Sequence, residues 1–336
     1  MPYFFSESIT KEKNAGNKAR KDVENIFSLR GYKKVNYVRS LEKSKIKQKI
    51  QNFMLLNKSL KEVPKDEILY IQYPFMSGGN TLLPYISKKR KVAIIIHDLD
   101  SLRMTEDTSK IKKQIKSLAN CKYIIAQNSR MIKLLIDNGI KKSIIYNLKL
   151  FDYLTTTINE RQHYNDSNAI CFSGNLKKSD FIYEIKKPLS NIGIKLYGNG
   201  LDTKKIDNSI KYEGAYEPDQ IHLKLKGKFG LVWDGTDINT CSGLIGKYLK
   251  YNDPHKISMY IVAGLPVIIW DKAAEAEFIK KNNIGITVSS LNDLPKILSN
   301  FDKEKYLQLR KNVFKVASKI AKGYFLNKQL DLIEGK

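Results

Sequence analysis

A short polar segment, Asn252-Asp253-Pro254-His255-Lys256, comes directly before a mostly apolar stretch at 257–268. Pro254 suits the first turn of a helix, and Gly264 suits the end of one. A helix N-terminus presents N–H groups and the positive end of the helix dipole, which attract a diphosphate. The Lys256 ammonium would neutralise phosphate charge. The segment therefore predicts a phosphate-binding site, with an ordinary turn of solvated side chains as the alternative.

Glycine and lysine follow the first predicted strand of the second half, in the motif Ser173-Gly174-Asn175-Leu176-Lys177-Lys178. A glycine at position 174 lets the backbone approach a ligand closely, and Lys177 or Lys178 could reach the phosphates of that ligand. Tyr216 follows a later predicted strand, where it could line a base or sugar pocket. A generic turn and ordinary tyrosine packing are the alternative interpretations.

The loop after the first predicted strand, Asn14-Ala15-Gly16-Asn17-Lys18, contains a single glycine. It lacks the G-x-G-x-x-G pattern of dinucleotide-binding proteins, so no dinucleotide site is predicted. In a two-domain enzyme such a loop faces the cleft, where Gly16 and Asn17 could touch the phosphates of a substrate. A plain connecting turn is the alternative.

An acidic and basic cluster, His97-Asp98-Leu99-Asp100-Ser101-Leu102-Arg103, ends the most apolar strand of the first half. A carboxylate at such a strand end could deprotonate an acceptor hydroxyl, and Asp98 is the predicted catalytic base. Arg103 could hold an acceptor or orient a carboxylate. Asp100 and His97 remain alternatives for the base, and a helix-capping role is an alternative for either aspartate.

The elements that would position these residues alternate between strand and helix. In the first half, short apolar runs at 3–6, 35–38, 68–73, 92–97, 123–127 and 143–146 predict strands. The same pattern resumes at 169–172, 194–197, 210–213, 229–233, 266–270 and 285–288. Amphipathic segments with a period near 3.6 separate them, and 302–333 predicts one or two long helices. The fold class predicted is α/β, with two Rossmann-like doubly wound domains.

The domain boundaries follow from a polar, unpatterned segment at 151–167, which predicts a linker. We expect an N-terminal domain over residues 1–155, with the predicted base for an acceptor hydroxyl, and a C-terminal domain over 165–310, with the predicted phosphate-binding motifs. Residues 311–336 predict a helix that packs back toward the N-terminal domain. Facing strand ends of two such domains would form a ligand-binding cleft.

The composition constrains the partners. The chain has 336 residues and a net charge of +25, with 59 Lys and Arg against 34 Asp and Glu. Such charge favours acidic partners, but only 8 of the basic residues are Arg, which argues against nucleic acid. Three scattered cysteines and four histidines show no metal-ligand spacing, so no metal is predicted. The absence of a signal peptide and of a long apolar run predicts a cytoplasmic protein with at most peripheral membrane contact.

An ordered set of motifs gives the chain a family resemblance. These motifs are FFSES at 4–8, NAGNKA at 14–19, IIHDLDSLR at 95–103, SGNLKK at 173–178 and NDPHKIS at 252–258. Together they resemble the small glucosyltransferases, once called nucleotide sugar synthetase-like proteins, that glycosylate serine-rich-repeat adhesins in streptococci and lactobacilli.

The resemblance implies a GT-B fold, UDP-glucose as donor, no required metal or other cofactor, and a homotetramer. The acceptor would be N-acetylglucosamine O-linked to Ser or Thr of an adhesin. The donor-binding residues carried over are Gly16, Asn17, Lys178, Tyr216 and Asn252 through Lys256. Lys178 stands where a relative in this family has an Arg, which keeps the charge but loses the bidentate grip.

The predicted reaction is therefore glucose transfer from UDP-glucose to the protein-linked N-acetylglucosamine, with inversion at the anomeric carbon. A capsule or teichoic-acid type galactofuranosyltransferase at the inner membrane face is one alternative. A non-catalytic GT-B scaffold subunit is another.

Overall fold

The computed structural model describes residues 1–7, 15–37, 40, 42–75, 79–160, 169–185, 189, 192–207 and 210–336, with the side chains of 15–17 and 79–81 left out. The described residues divide into two compact units. The first unit contains residues 1–7, 20–148 and 327–336, and the second contains 15–19 and 149–326.

The first unit is built on a six-stranded parallel sheet in the order β2-β1-β3-β4-β5-β6. Its central strands are apolar runs buried on both faces, as parallel strands covered by helices require. The strands are β1 (Tyr3–Glu7), β2 (Lys33–Tyr37), β3 (Ile68–Tyr73), β4 (Lys91–Ile96), β5 (Tyr123–Ala126) and β6 (Ile145–Asn147).

Six helices connect the strands of the first sheet. They are α1 (Ala15–Leu29), α2 (Lys45–Lys61), α3 (Gly79–Lys89), α4 (Asp100–Met104), α5 (Thr108–Lys116) and α6 (Ser129–Asp137). The loop prediction for 15–17 is wrong, because α1 begins at Ala15 and places Gly16 and Asn17 in its first turn. Glycine is tolerated there because the first N–H groups of a helix have no intrahelical partner. Asn14, in the same predicted loop, lies outside the described residues.

The second unit contains another parallel sheet, in the order β12-β11-β10-β7-β8-β9. Counted within the unit, this is the 3-2-1-4-5-6 order of a Rossmann fold. The strands are β7 (Ile170–Ser173), β8 (Ile194–Tyr197), β9 (Ile210–Gly214), β10 (Phe229–Val232), β11 (Val267–Trp270) and β12 (Gly285–Val288). The predicted fold class, with two doubly wound parallel sheets, is confirmed.

Helices of the second unit are mostly short. They are α7 (Phe181–Glu184), α8 (Ile221–Lys224), α9 (Gly243–Tyr248), α10 (Lys256–Val262), α11 (Ala276–Asn282), α12 (Leu294–Ser299), α13 (Lys303–Ile320) and α14 (Tyr324–Glu334). Gly264 ends the α10 turn with φ +74°, and its N–H bonds to the Ile261 carbonyl at 3.0 Å. This is the C-terminal glycine that the sequence predicts.

The end of α14 belongs to the first unit, where residues 327–336 group. Arg30, directly after α1, donates to the Asn327 side chain at 3.1 Å and pairs with Asp331 and Glu334, each at 2.8 Å. The Tyr32 hydroxyl also donates to Glu334. A network of polar contacts therefore fixes the last turns of the chain.

Residues 151–160 are packed into the second unit, although their polar composition predicts a linker. Phe151, Asp152 and Tyr153 are buried, and the Asp152 carboxylate accepts from the N–H groups of Phe325 and Leu326 at the start of α14. Residues 161–167 of the predicted linker lie outside the described residues. Polar side chains are buried here because backbone partners satisfy them.

Candidate functional site

Ligands of doubly wound sheets bind at the carboxyl ends of the strands, where the strand order reverses. In the second sheet this point lies between β7 and β10, and in the first it lies between β1 and β3. Each unit therefore has one edge at which polar residues after the strands can meet a ligand. We call the carboxyl ends of the strands in the first sheet the first carboxyl edge, and those in the second sheet the second carboxyl edge.

An ammonium and a carboxylate meet at the reversal point of the second sheet. Lys256 Nζ lies 3.1 Å from Asp234 Oδ1, in the loop after β10, and 4.7 Å from the centre of the Phe172 ring in β7. A side chain at Gly174 would come within 3.9 Å of the same ammonium. Exposures of 14% for the Lys256 side chain and 18% for that of Asp234 leave the pair shielded but reachable. The arrangement therefore holds the Lys256 ammonium next to the backbone of Gly174, which carries no side chain that would block the approach of a ligand.

The turn before α10 aims Lys256 at this edge. The Pro254 carbonyl accepts from Ile257 N at 2.9 Å, and Asp253 accepts from Phe151 N at 2.6 Å. Burial raises the pKa of the Asp253 carboxyl, while the Phe151 hydrogen bond opposes that rise. One carboxylate oxygen of Asp253 thus ties the turn to the packed segment 151–160. The sequence could not show this, because the partner lies 102 residues away.

His255 has a structural environment. Its Nε2 lies 3.0 Å from the Asp152 carbonyl, so it carries the proton and donates, and its ring stacks on Tyr153 at 5.2 Å. Burial lowers the pKa of His255 to about 4, with the Lys18 charge acting in the same direction. The imidazole is therefore neutral near pH 7. Of the two basic side chains in this turn, Lys256 carries the charge that a phosphate would meet.

The loops after β7, β8 and β9 interlock through their backbones. Gly174 N donates to Tyr197 O at 3.1 Å, and Gly198 N donates to Gly214 O at 3.0 Å. Gly198 has φ +129°, and a Cβ there would lie 1.9 Å from the Gly174 carbonyl oxygen. Only glycine fits this position. The second edge is thus built largely of closely packed backbone.

Two further predicted donor residues, Lys178 and Tyr216, follow other strands of the second sheet. Lys178 is exposed at the end of a short 3-10 helix that Asn175 caps by accepting from Lys177 N at 3.1 Å. Tyr216 follows the edge strand β9 and is 38% exposed, and its hydroxyl donates to Glu213 O at 3.0 Å. Asn252 is half-buried just before the Lys256 turn. The geometry joins Asn252 with Asp253, Pro254, His255 and Lys256 in one segment, while Lys178 and Tyr216 follow other strands.

Sequence analysis did not single out the role of Lys18, which anchors the first turn of α1 within the second unit. Lys18 is buried; its Nζ donates to Leu154 O at 2.9 Å, lies 3.2 Å from Asp219 and sits 4.5 Å above the Tyr153 ring. Gly16 and Asn17 share this turn and group with the second unit. The sequence shows only that Lys18 is adjacent to those two residues, and the burial of Lys18 is a finding of the structure.

The first carboxyl edge has a different chemistry. Asp98 lies two residues beyond β4, and its Oδ2 pairs with Arg103 Nη1 at 3.2 Å. The other Arg103 nitrogen, Nη2, lies 3.6 Å from Asp100. The predicted acidic cluster therefore groups two carboxylates around one guanidinium. His97 faces another partner, with Nε2 at 2.7 Å from Gln72 Oε1.

Arg20 of α1 reaches the reversal point of the first sheet, a position that its place in an amphipathic helix did not reveal. It donates to the carbonyls of Gln72 at 3.3 Å and Pro74 at 2.8 Å, both at the end of β3. Burial lowers the pKa of Arg20, while the nearby carboxylates of Glu7 and Asp98 oppose that shift. Guanidinium, amide, imidazole and carboxylate groups thus line this edge.

Two further features concern the residues that the structure describes, namely metal binding and membrane spanning. In that part of the chain, no group of three or more His, Cys, Asp or Glu side chains is arranged to hold a metal ion. None of the helices there combines the length and the apolar character needed to cross a bilayer.

Known proteins match this chain over nearly its whole length. Residues 3–148 match the N-terminal domain of the Glucosyltransferase 3-like family, and residues 170–333 match the C-terminal domain. The Escherichia coli K12 beta-1,6-galactofuranosyltransferase WbbI is 32% identical, covering 98% of this chain and 97% of the relative. Streptococcus gordonii glucosyltransferase 3 is 22% identical, covering 93% of this chain and 92% of the relative.

A solved structure supports the fold independently. Anabaena HepE, in complex with UDP and glucose, aligns over 100% of both chains with a TM-score of 0.65 at 12% identity. Likeness at this identity concerns the fold, which is the two-domain GT-B arrangement. The family matches confirm the resemblance carried by the sequence motifs. The chain belongs to the Glucosyltransferase 3-like family and is a glycosyltransferase.

Proposed function

We propose that the protein transfers a hexose from a UDP-sugar, with the nucleotide diphosphate bound at the second carboxyl edge. The observation that carries this proposal is the Lys256 ammonium, held by Asp234 beside Gly174 where the strand order reverses. A fixed cation in a shielded site stabilises the charge that develops on a departing diphosphate. HepE, the UDP-bound protein of the same fold, supports the choice of nucleotide.

The remaining donor residues act around that cation. Gly16 and Asn17 lie in the α1 turn that Lys18 anchors to the second unit, which supports a role for them in donor binding. Asn252 through His255 set the direction of Lys256, Lys178 adds an exposed charge, and Tyr216 packs against the base or sugar. In this proposal the lysine charge takes the part that a metal plays in other transferases, so no metal is required.

For the donor sugar, we rank UDP-galactofuranose ahead of UDP-glucose. The galactofuranosyltransferase relative is 32% identical over 98% of this chain, whereas the Streptococcus gordonii glucosyltransferase is 22% identical over 93%. The acceptor is then a hydroxyl of a bacterial surface glycan. This order reverses the one that the sequence motifs alone favoured.

The second candidate is glucose transfer to N-acetylglucosamine already O-linked to a Ser/Thr-rich adhesin. The family description and the streptococcal relatives support it. A homotetramer and a cytoplasmic location belong to this candidate as proposals. A non-catalytic scaffold would share the fold and the diphosphate site but would show no turnover.

We assign the acceptor chemistry to the first carboxyl edge. The acceptor oxygen attacks the anomeric carbon, the bond from that carbon to the β-phosphate oxygen breaks, UDP leaves, and the configuration inverts. Asp98 receives the hydroxyl proton in this scheme. Arg103, bonded to Asp98 at 3.2 Å, would keep the carboxylate pointed in one direction.

A donor panel tests the proposal. The melting temperature is measured with UDP, UDP-galactofuranose, UDP-galactopyranose, UDP-glucose and GDP-mannose, because a bound ligand stabilises the fold by mass action. UDP release is then followed with glycan acceptors and with N-acetylglucosamine-bearing peptides. We expect stabilisation by UDP and turnover of UDP-galactofuranose. Turnover of UDP-glucose on the glycopeptide would favour the second candidate, and no stabilisation by any nucleotide would contradict the diphosphate site.

A further inference from the structure

The N-terminal half of α2 has an inverted distribution of side chains. Its inner face is polar: Gln48 donates to the Ser40 carbonyl at 3.2 Å, and Asn52 Oδ1 accepts from Ser40 N at 2.8 Å. The Asn52 carbonyl accepts from the Tyr37 hydroxyl at 3.4 Å. A helix on a globular protein ordinarily turns its apolar face to the core. Here hydrogen bonds attach the helix to the unit.

The outer face of the same half is apolar. Ile46, Ile50, Phe53 and Met54 follow the i, i+4, i+7, i+8 spacing of one helix face. Their exposures are 74%, 57%, 42% and 65%. Phe53 packs on the Tyr85 ring of α3 at 5.0 Å, which supports one side of the face. Four large apolar side chains on one face are therefore presented to solvent.

Lysines surround this face. Between residues 43 and 61 the chain has six lysines and no acidic residue. Lys47 and Lys58 fall on one side of the apolar stripe at 100° per residue, and Lys45 and Lys49 fall on the other. Long lysine side chains can lie along an apolar surface and extend their ammonium groups outward.

An exposed apolar helix face flanked by lysines selects one kind of partner. A second copy of the chain would bring another six lysines against these six, and like charges in apposition disfavour that pairing. An anionic lipid surface satisfies both features, because acyl chains cover the apolar side chains and phosphates meet the lysines. We propose that α2 docks the protein onto a membrane containing anionic phospholipid, with Ile46, Ile50, Phe53 and Met54 inserted at the headgroup boundary.

The docking surface goes beyond the proposed sugar transfer and stands independently of it. None of its four inserted residues belongs to the donor or acceptor residues named above. A vesicle-binding measurement therefore tests it even if the enzyme turns out to use another sugar.

The test is flotation of the full-length protein with vesicles of phosphatidylcholine, with and without phosphatidylglycerol. Two α2 variants are compared with wild type: Ile50→Gln/Met54→Gln, and Lys45→Gln/Lys47→Gln/Lys49→Gln. Matched controls on α13 and α14 are Leu307→Gln/Leu332→Gln, with exposures of 44% and 56%, and Lys311→Gln/Lys315→Gln/Lys319→Gln. The lysine control removes the same net charge from another exposed region. Circular dichroism checks that each variant is folded.

We expect binding only to phosphatidylglycerol vesicles, weakened by salt, with a fall of about tenfold or more in either α2 variant. The controls should bind within about twofold of wild type on the same scale. Absence of wild-type binding, or equal losses in the α2 and control variants, would overturn the proposal. So would a finding by sedimentation that Ile50→Gln/Met54→Gln dissociates an oligomer while vesicle binding is unchanged.

Discussion

The two carboxyl edges of this protein differ in the groups that line them. The second edge consists mainly of interlocked backbone at Gly174, Gly198 and Gly214, with one shielded cation, Lys256, paired with Asp234. The first edge is lined by side chains: Arg20 donates to a carbonyl at the end of β3, and Asp98 pairs with Arg103. The same kind of parallel sheet thus supports two distinct surfaces.

The difference indicates a division of labour. A nucleotide diphosphate needs close backbone approach and a fixed positive charge, which the second edge offers. A sugar acceptor presents many hydroxyl groups, and a lining of guanidinium, amide and carboxylate groups supplies donors and acceptors for them. Each edge can therefore be altered separately, and three experiments test what this comparison requires of the second unit.

The largest effect is expected for Gly198→Ala. Its Cβ would lie 1.9 Å from the Gly174 oxygen at a φ of +129°, so the free energy of unfolding should fall by about 4 kcal/mol. Gly243→Ala is the matched control, because Gly243 has φ +68° with nothing within 4 Å, and its loss should be about 1 kcal/mol.

Urea unfolding followed by tryptophan fluorescence measures both changes. Trp233 and Trp270 are the two tryptophans of the chain, and both lie in the second unit. Equal losses in the two variants would show that close backbone packing is not what builds this edge.

The second test removes the cation. Lys256→Met keeps most of the side-chain length but loses the charge, so kcat/KM should fall by about 100-fold, or about 2.7 kcal/mol. Asp234→Asn should cost about tenfold, because the ammonium loses its ionic partner. Lys178→Met, at an exposed site, should lower kcat/KM about threefold.

UDP affinity is measured by calorimetry alongside the rates. Wild-type affinity for UDP in the Lys256→Met variant would contradict diphosphate binding at the second carboxyl edge.

The smallest effect concerns pH and the buried imidazole of the second unit. Burial lowers the pKa of His255 to about 4, whereas an unfolded histidine has a pKa near 6.5. The unfolded state therefore binds the proton first as pH falls, and stability is lost between about pH 6.5 and pH 4. At pH 5 the loss from this group should be about 2 kcal/mol relative to pH 7.

His255→Gln is expected to be less sensitive to pH over this range by that amount. Denaturation curves at matched pH values give the comparison. His222→Gln serves as a reference for the loss of a second buried histidine, because burial also lowers the pKa of His222. Identical pH dependence in wild type and His255→Gln would mean that the pKa of His255 is the same in the folded and unfolded protein.

The strands were the most predictable part of the fold. The bounds predicted for β3, β8 and β12 match the structure, because continuous apolar runs between turn residues identify buried parallel strands. Helices α4 and α9 were missed, since five or six residues show too little periodicity to detect. The 151–160 segment was misjudged because its polar groups are satisfied by distant backbone partners.

The site was predictable only in part. Lys256 stood out because it follows a proline and precedes an apolar helix and strand. Asp234 directly follows a predicted strand, but its importance depends on which strands are neighbours, and strand order cannot be read from one sequence. Lys18 and Arg20 lie in an amphipathic helix, where a basic residue ordinarily faces solvent. Their partners lie 136 and 54 residues farther along the chain.

Helices α1 and α14 each have residues in both units, which has a practical consequence for engineering. Residues 15–19 begin α1 in the second unit and the rest of the helix lies in the first, while α14 passes from the second unit to the first after Leu326. The second unit is thus discontinuous in sequence. A chimaera made to exchange sugar preference between relatives should carry 15–19 together with 149–326, because a single crossover near residue 149 would separate Lys18 from Asp219.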